Sequence, residues 1–468
     1  MSESIKVPDV FGVETEYSCI LIFPDDLTYE IECGCHSAER RVALYKGPKT
    51  SGAKEVDGLD MIRALDSLGL ITTNDGMLSN GGRFYLDPSG PEYATPETTT
   101  AEEAVHRTFD GDSIILGIFS QLVEAGVIQG FQVNRRIIDH NRNSRGVHLN
   151  TTTSLTAQEH PEQDIVECLA TLNVVKGAMF GSGGLLQDQK GNTHFHHSPR
   201  LTITSDTSAH YQDYQLRPLV RYPYKTEGEK LSRIETVTSD ALNFGWPLRA
   251  SLVITNSLVR LLELRRDIVD IPYLIDHKRA AKAVGRHGYD TKIKVDYGYS
   301  EGDALERPLT VLRYICETLL NADDALGILN NEAIQVLPEI IDVTDKMSVD
   351  PISVAPQVES MARLLAMQRK MEADSDLTFN SEKMCRFDFA WDKIGGGIAE
   401  KLRQRNTTGW QGFREKFSPH ARSRRLITPP SDTRAKIRGD LILEYDGKIS
   451  VDWSGFYDNY LPPITIDK

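Results

Sequence analysis

Two glutamates spaced two residues apart are the first candidates for chemistry in this chain of 468 residues. Glu14 and Glu16 lie in the run Phe-Gly-Val-Glu-Thr-Glu-Tyr, whose β-branched and aromatic residues favour a β-strand. Side chains alternate across a strand, so both carboxylates project from the same face. Like charges held this close repel each other unless a cation lies between them. The pair therefore predicts a divalent-metal site.

More carboxylates follow where a second strand and its turn would place them. Asp87 ends the alternating segment 82–87, and Glu92 and Glu97 follow the turn Pro88-Ser89-Gly90-Pro91. Carboxylates on neighbouring strands are ligands that magnesium prefers, although a solvated sheet face is the alternative. Asp87 is a candidate general base before a rigid turn, or else a turn-initiating aspartate.

A polar segment and a basic segment complete the candidates. Residues 139–150 combine histidine, amide and arginine side chains, which suit metal binding or simply form a polar loop with one paired histidine. Between Lys401 and Arg438 there are eleven Lys or Arg and only two acids. Arginines suit polyphosphate recognition, whereas a solvated basic face and an RNA-contact patch are the alternatives.

Composition limits the class of protein. Hydrophobic residues make up 40% and charged residues 26% of the chain, as in soluble globular proteins. A net charge of −14 argues against a general affinity for nucleic acid or anionic membrane. We predict no membrane-spanning segment and no signal peptide, and six sparse cysteines indicate reduced thiols. The expected location is the cytoplasm.

The elements that must position these residues are strands mixed with helices. Segment 33–58 is predicted to be a long loop, and Thr100 begins a capping box and an amphipathic helix to about Ala125. Further helices are predicted at 161–180, 247–266 and within 307–374, and further strands before Asp139 and at 201–205, 233–238, 440–445 and 449–453. This order predicts an α+β fold around an antiparallel sheet.

The residues and their order resemble the Pup ligase and depupylase family, which is related in fold to glutamine synthetase and other carboxylate–amine ligases. The matching segments cover nearly the whole chain: Gly12–Tyr17, Asn80–Asp87, Pro91–Glu97, Asp139 with Asn143-Ser144, Gly146 and His148, Arg217-Pro218, Arg233, Asp240, Pro429–Gly439 and Val451–Trp453. The resemblance implies a curved antiparallel sheet packed with helices in a catalytic domain, residues 1–395, and a small C-terminal domain, residues 396–468. It also implies ATP and Mg²⁺ as cofactors.

The resemblance assigns roles by position. Asp87 and Arg233 resemble catalytic residues. The implied metal ligands are Glu14, Glu16, Tyr85, Glu92 and His148. The residues implied at the nucleotide are Arg83, Arg217, Arg434, Arg438 and Trp453. Family ligases transfer the γ-phosphoryl group of ATP to a carboxylate, and a lysine amine then attacks the acyl phosphate.

The positions at which the chain departs from the family motifs bear on the identity of the phosphoryl acceptor. Leu149 replaces the glutamate of a His-Glu-Asn motif, and Glu235 replaces a histidine, so Glu235 is expected to restore lost metal-site charge from a neighbouring strand. Additional positive charge is expected beside the phosphates from Arg135, Arg136, Arg142 and Arg145. The segment 33–58 is also long enough to cover the active site, as the depupylase loop does.

These features predict a Mg²⁺-dependent ATP phosphotransferase whose acceptor is a small anionic metabolite such as a nucleotide monophosphate. The first alternative is ligation or cleavage of a Pup-like tail through a γ-glutamyl phosphate. The second is a non-catalytic nucleotide-binding regulator. The expected partners are ATP, a small-molecule or carboxylate acceptor and a Pup-like protein, without nucleic acid or membrane.

Overall fold

Strands with one apolar face form the sheet that carries the candidate residues. The computed structural model describes residues 7–23, 28–31, 43–46, 54–56, 58–73, 75–87, 90–138, 144–155, 162–209, 216–221, 231–264, 271–297, 303–404, 419–453, 455–457 and 464–465. Its strands are β1 Phe11–Glu16, β2 Ser18–Ile22, β3 Thr28–Ile31, β4 Ala43–Lys46, β5 Lys54–Val56, β6 Arg83–Asp87, β7 Gly90–Ala94, β8 Gly130–Asn134, β9 Val147–Thr153, β10 Gly184–Gln187, β11 Thr193–His196, β12 Asp206–Ala209, β13 Pro218–Arg221, β14 Ser232–Ser239, β15 Tyr273–Leu274, β16 Ile293–Asp296, β17 Ala304–Glu306, β18 Ser450–Val451, β19 Gly455–Tyr457 and β20 Ile464–Thr465.

The described residues also form helices. They are α1 Gly58–Ser67, α2 Ala101–Glu124, α3 Glu162–Val175, α4 Gly245–Leu264, α5 His277–His287, α6 Pro308–Leu326, α7 Asn331–Val349, α8 Glu359–Ala373, α9 Glu382–Trp391, α10 Ile398–Gln404, α11 Pro419–Ile427 and α12 Arg434–Glu444. Short 3₁₀-helices lie at Lys176–Ala178, Arg200–Ile203, Gly288–Asp290 and Pro351–Val354. Among the described residues, no helix is long and apolar enough to cross a membrane.

The main sheet has seven strands in the order β12-β13-β14-β9-β1-β7-β6. All neighbours are antiparallel except β12 and β13. The apolar side chains of β1, Phe11 and Val13, are each 1% exposed and pack in the core with α2 and α4. Glu14 and Glu16 therefore lie on the opposite face, as the alternation predicted.

Several predicted elements are confirmed. The Thr100 side chain caps α2 by accepting a hydrogen bond from the Glu103 N–H at 3.2 Å. Helices α3 and α4 lie in segments predicted to be helical, as do helices α6 to α8. The domain boundary between residues 395 and 396 stays a prediction.

Three predictions of secondary structure are wrong. The predicted loop 33–58 contains β4 and β5, which extend a five-stranded sheet in the order β5-β4-β3-β2-β8, and its remaining residues lie largely outside the described part. Residues 200–203 form a 3₁₀-helix after Pro199 instead of a strand. Residues 440–445 belong to α12, because a short apolar run fits a helix as well as a strand.

A buried lysine behind the sheet provides a test of this packing. Lys176 is 4% exposed, and its Nζ donates a hydrogen bond to Thr255 Oγ1 at 3.1 Å. Burial lowers the pKa of Lys176 from 10.5 to about 7. The unfolded chain therefore binds more protons than the native chain between these two pH values, so stability rises with pH in that window.

Lys176→Met is expected to remove this dependence, because methionine fills a similar volume without a charge. The variant should be the more stable protein at pH 7, by as much as about 4 kcal/mol, and the difference should shrink toward pH 10. Denaturant unfolding of both proteins from pH 7 to 10 measures it, with the exposed Lys190→Met as control. Parallel pH profiles would contradict the prediction.

Candidate active site

Three neighbouring strands bring two carboxylates and one imidazole together. Strand pairing places Glu14 opposite His148, and Glu235 opposite Asn150, on the same sheet face. His148 Nδ1 lies 3.2 Å from Glu14 Oε2 and 2.9 Å from Glu235 Oε1. One donor atom from each of the three side chains falls within 4.8 Å of the others. This donor set suits a divalent cation such as Mg²⁺ or Mn²⁺.

The electrostatics of this cluster match its predicted need for positive charge. Burial opposes ionisation of Glu14, but Arg233 and His148 outweigh it and lower the pKa of Glu14 to about 2. Burial likewise opposes protonation of His148, but Glu235 and Glu14 raise the pKa of the imidazole well above 6.5. The imidazolium and Arg233 thus hold the two carboxylates in their ionised form.

A second row of predicted ligands flanks the cluster. Glu16 lies opposite Glu92 across β1 and β7, and Glu92 lies opposite Tyr85 across β7 and β6. Burial raises the pKa of Tyr85, and so does the neighbouring Glu92, which accepts its hydrogen bond. Glu16 accepts a hydrogen bond from the Gly146 N–H at 2.8 Å and lies 3.9 Å from His148 Nε2. The structure therefore places all the predicted ligands on one face.

Gly146 allows the backbone to lie close to His148 at the Glu16 end of the cluster. A Cβ atom there would lie 2.6 Å from His148 Nε2 and 3.3 Å from the Arg200 guanidinium. Any larger residue would therefore displace the histidine. The catalytic aspartate predicted at position 87 ends β6, but its side chain lies outside the described residues.

A cavity of about 250 Å³ begins beside Glu14. Two of the residues implied at the nucleotide, Arg434 and Trp453, line it together with Arg233, which was predicted to be catalytic. Arg233 Nη1 donates a hydrogen bond to Glu14 Oε1 at 2.8 Å, so it joins the cavity to the carboxylate cluster. The cavity wall combines apolar, carboxylate and guanidinium groups, which suits a nucleotide.

Three other residues predicted at the nucleotide lie elsewhere. Arg438 is fully buried, where it donates hydrogen bonds to Glu97 and to the Gly81 carbonyl and stacks on Trp453 at 4.6 Å. It supports the cavity wall from behind. Arg83 lies 4.4 Å above the Tyr85 ring. Arg217 Nε donates a hydrogen bond to Ser144 Oγ at 2.8 Å, away from the cavity.

The expectations about the departures also need correction. Leu149 is 2% exposed and faces the core, because it alternates with His148 along β9. A glutamate at this position would not reach the metal cluster, so no ligand is lost there. Glu235 belongs to the cluster with Glu14 and His148, but it does not replace a ligand lost at position 149.

The added arginines do not gather beside the cavity. Arg135 is buried against Asp112, and Arg136 pairs with Asp388. Burial raises the pKa of the Cys19 thiol on β2, and the charge of Arg145, which is itself 4% exposed, opposes that rise. Arg142 lies outside the described residues. Arg135 and Arg136 thus pair with carboxylates inside the fold, because a buried charge requires a partner.

Sequence reasoning missed Arg200 and Arg221, which form an arginine cluster with Arg217 at the opposite end of the carboxylates. Arg200 is 5% exposed, with its Nε and Nη1 held by the carbonyls of Val237 and Arg145. Burial lowers its pKa to about 10, and its charge interacts with Glu16, Arg217 and Arg221. Arg221 donates to Glu235 at 3.3 Å. Only the long-range strand order brings these residues together, so no local motif could have shown them.

The fold and the site define an α+β protein with a cluster of two carboxylates and one imidazole on an antiparallel sheet, next to a cavity suited to a nucleotide. The chain belongs to the Pup ligase family, because the family model described as "Pup-ligase protein" matches residues 9–457. Members of this family are enzymes, ATP-dependent carboxylate–amine ligases.

Curated relatives and solved structures agree with this assignment. The chain is 22% identical to a depupylase of Acidothermus cellulolyticus over 466 residues, covering 94% of this chain and 89% of the relative. It is 24% identical to a Pup–protein ligase of Nocardia farcinica over 395 residues, covering 80% and 82%. The structure of the ligase PafA in complex with Pup has a TM-score of 0.73 and 17% identity, covering 99% of this chain and 90% of that one. PafA with ADP has a TM-score of 0.69 and 18% identity, covering 92% and 94%. These similarities confirm the predicted α+β fold.

Proposed function

We propose that this protein activates a carboxylate by transferring the γ-phosphoryl group of ATP to it and then passes the acyl group to an amine. The observation that carries the proposal is the Glu14, His148 and Glu235 cluster at the edge of the cavity lined by Arg233. Mg²⁺ held by these three residues would displace the proton of His148, neutralise phosphate charge and orient the transferred group. Arg233 would stabilise charge on that group from the cavity side.

Donor and acceptor lie on opposite sides of the transferred group in such a reaction. The cavity begins beside Gly12 on β1, whereas Arg200 and Arg217 lie beyond Glu16, four residues or about 13 Å further along the strand. Guanidinium groups pair well with carboxylates. The arginine cluster thus favours an anionic acceptor on the side away from the nucleotide.

A Pup-like polypeptide is the acceptor that we favour over a small metabolite. The small-metabolite hypothesis depended on a lost carboxylate and on added arginines, but Leu149 faces the core, and Arg135 and Arg136 are paired elsewhere. The relatives are a depupylase and Pup–protein ligases, and the structural neighbour PafA binds Pup. A small phosphorylated acceptor is the second candidate, because Arg200, Arg217 and Arg221 lie close together. A non-catalytic regulator is disfavoured, because the carboxylate cluster is intact.

The test compares acceptors directly. The protein is incubated with ATP, Mg²⁺ and a lysine-containing polypeptide as the amine, plus AMP, small carboxylates, or a Pup-like peptide ending in glutamate, and ADP and covalent peptide adducts are measured. The proposal expects ADP formation that depends on the peptide, an adduct on lysine, and loss of both in Asp87→Asn. The exposed Asp342→Asn serves as control. ADP formation that depends only on a small acceptor would favour the second candidate, and no turnover with any acceptor would contradict both.

A further inference from the structure

One acidic side chain in the wall of the nucleotide cavity has no part in the reaction proposed above. The sequence predicts that Glu97 is one of the carboxylates suited to magnesium, and the side chain lines the cavity. Backbone hydrogen bonds pair Thr98, the next residue, with Phe11, which precedes Glu14 by three residues or about 10 Å on β1. Glu97 therefore lies beside a different part of the cavity from Glu14.

The partners of the Glu97 carboxylate are two guanidinium groups of helix α12. Arg438 donates hydrogen bonds to both oxygens, from Nη1 to Oε1 at 3.3 Å and from Nη2 to Oε2. Arg434 Nη2 donates to the same Oε1 at 3.4 Å. One negative charge is thus shared between two positive charges. This arrangement suits an ion pair better than a metal site, because two fixed cations repel a third.

The two arginines differ in what surrounds them. Arg438 is fully buried, and its Nη2 also donates to the Gly81 carbonyl at 2.7 Å. The Arg434 side chain is 34% exposed and lines the cavity. Within the part of the chain that the structure describes, Glu97 is the one acceptor of the Arg434 guanidinium. Since a guanidinium carries five N–H groups, Arg434 has donors left for an anionic ligand in the cavity.

Contacts around Glu97 hold the start of α12 against the sheet. Thr433, the residue before α12, donates a hydrogen bond from Oγ1 to the Glu97 carbonyl at 2.8 Å. The two backbones lie close together here, because a Cβ atom at Gly81 would lie 2.9 Å from the Ala435 carbonyl oxygen. The buried guanidinium and this packing fix the carboxylate in one place, so it can orient the more exposed Arg434.

We propose that Glu97 is a positioning residue for the nucleotide: its carboxylate holds the Arg434 guanidinium in the cavity wall, and it binds no metal ion. This role rests on the use of ATP in the proposed function, but not on the identity of the acceptor. An arginine side chain loses conformational freedom when it binds a ligand. Because Glu97 already restricts Arg434, loss of this carboxylate should weaken nucleotide binding about tenfold.

The test measures nucleotide binding apart from turnover. Isothermal titration calorimetry gives the Kd of ADP with Mg²⁺ for the parent, Glu97→Gln and Glu97→Asp. Both variants are expected to raise the Kd about tenfold, because glutamine lacks the charge, whereas aspartate keeps a charge for Arg438 but is too short to reach Arg434. The aspartate variant decides the test if the glutamine variant fails to fold for lack of a counter-charge to the buried guanidinium.

The matched control changes the same junction without touching the carboxylate. Thr433→Val removes the hydrogen bond to the Glu97 carbonyl but leaves both arginines with their partner, so the Kd of ADP should stay close to that of the parent. If a loosened α12 were the cause, this variant would raise the Kd as much as Glu97→Asp does. That result would overturn the proposal.

A double-mutant cycle separates action through Arg434 from a general loss of structure. If Glu97 acts through Arg434, then Arg434→Gln and the double variant Glu97→Asp, Arg434→Gln should have the same Kd for ADP. Effects of the two substitutions that multiply would contradict the proposal, because they would be independent of each other.

Binding of Mn²⁺ without nucleotide tests the metal alternative. Glu97→Asp should leave the affinity for Mn²⁺ unchanged, and a fall would show that Glu97 is a metal ligand and would overturn the proposal. Equal Kd values for ADP in the parent and in Glu97→Asp overturn it as well. If the ADP results hold but no acceptor yields ADP from ATP, the role of Glu97 is supported and the proposed function fails.

Discussion

Replacing Glu14 by glutamine is expected to lower kcat by about 1,000-fold. One oxygen of Glu14 lies 3.2 Å from His148 Nδ1, and the other accepts the 2.8 Å hydrogen bond from Arg233. Glutamine keeps the shape but removes the charge and turns one acceptor into a donor. A cation and a guanidinium would then lose the group that they share, at the point where phosphate charge develops.

The measurement separates chemistry from folding. We expect kcat and the affinity for Mn²⁺ to fall together in Glu14→Gln, while the thermal midpoint stays close to that of the parent. Glu382→Gln is the matched control, because that carboxylate is 78% exposed on α9. Unchanged Mn²⁺ affinity with normal turnover would show that Glu14 holds no metal during catalysis.

Local patterns explain the parts of the site that the sequence predicted well. Alternation alone places Glu14 and Glu16 on one face, and a capping threonine marks the start of α2. The same alternation, applied to β9, would have shown that Leu149 points away from His148. A motif of three successive residues does not show this, because neighbouring side chains of a strand point to opposite faces of the sheet.

Long-range pairing explains what no local pattern could show. Arg135 pairs with Asp112 across 23 residues of sequence, and Arg136 pairs with Asp388 across 252 residues. Whether an arginine faces a ligand or a buried carboxylate depends on such pairings, and charge counts along the chain do not contain them. The register of β14 on β9, which brings Glu235 to His148, is of the same kind.

Two arginines on opposite sides of the carboxylate cluster should affect different substrates. Arg233→Gln is expected to lower kcat about 100-fold and to raise the KM for ATP, because Arg233 lines the cavity and contacts Glu14. Arg217→Gln is expected to raise the KM for the acceptor about tenfold with the KM for ATP unchanged, because Arg217 lies beyond Glu16 with Arg200. Steady-state kinetics with each substrate varied in turn measures both effects.

The split between the two KM values is the informative result. A merely structural loss would alter both KM values and the thermal midpoint in either variant, whereas substrate-facing arginines change one KM each. Arg386→Gln, at a side chain 78% exposed, controls for the loss of a guanidinium. If both variants raised only the KM for ATP, the nucleotide would extend past Glu16, and the acceptor would have to approach from the cavity side. The KM value that changes in Arg217→Gln therefore shows in which direction along β1 the phosphoryl group is transferred.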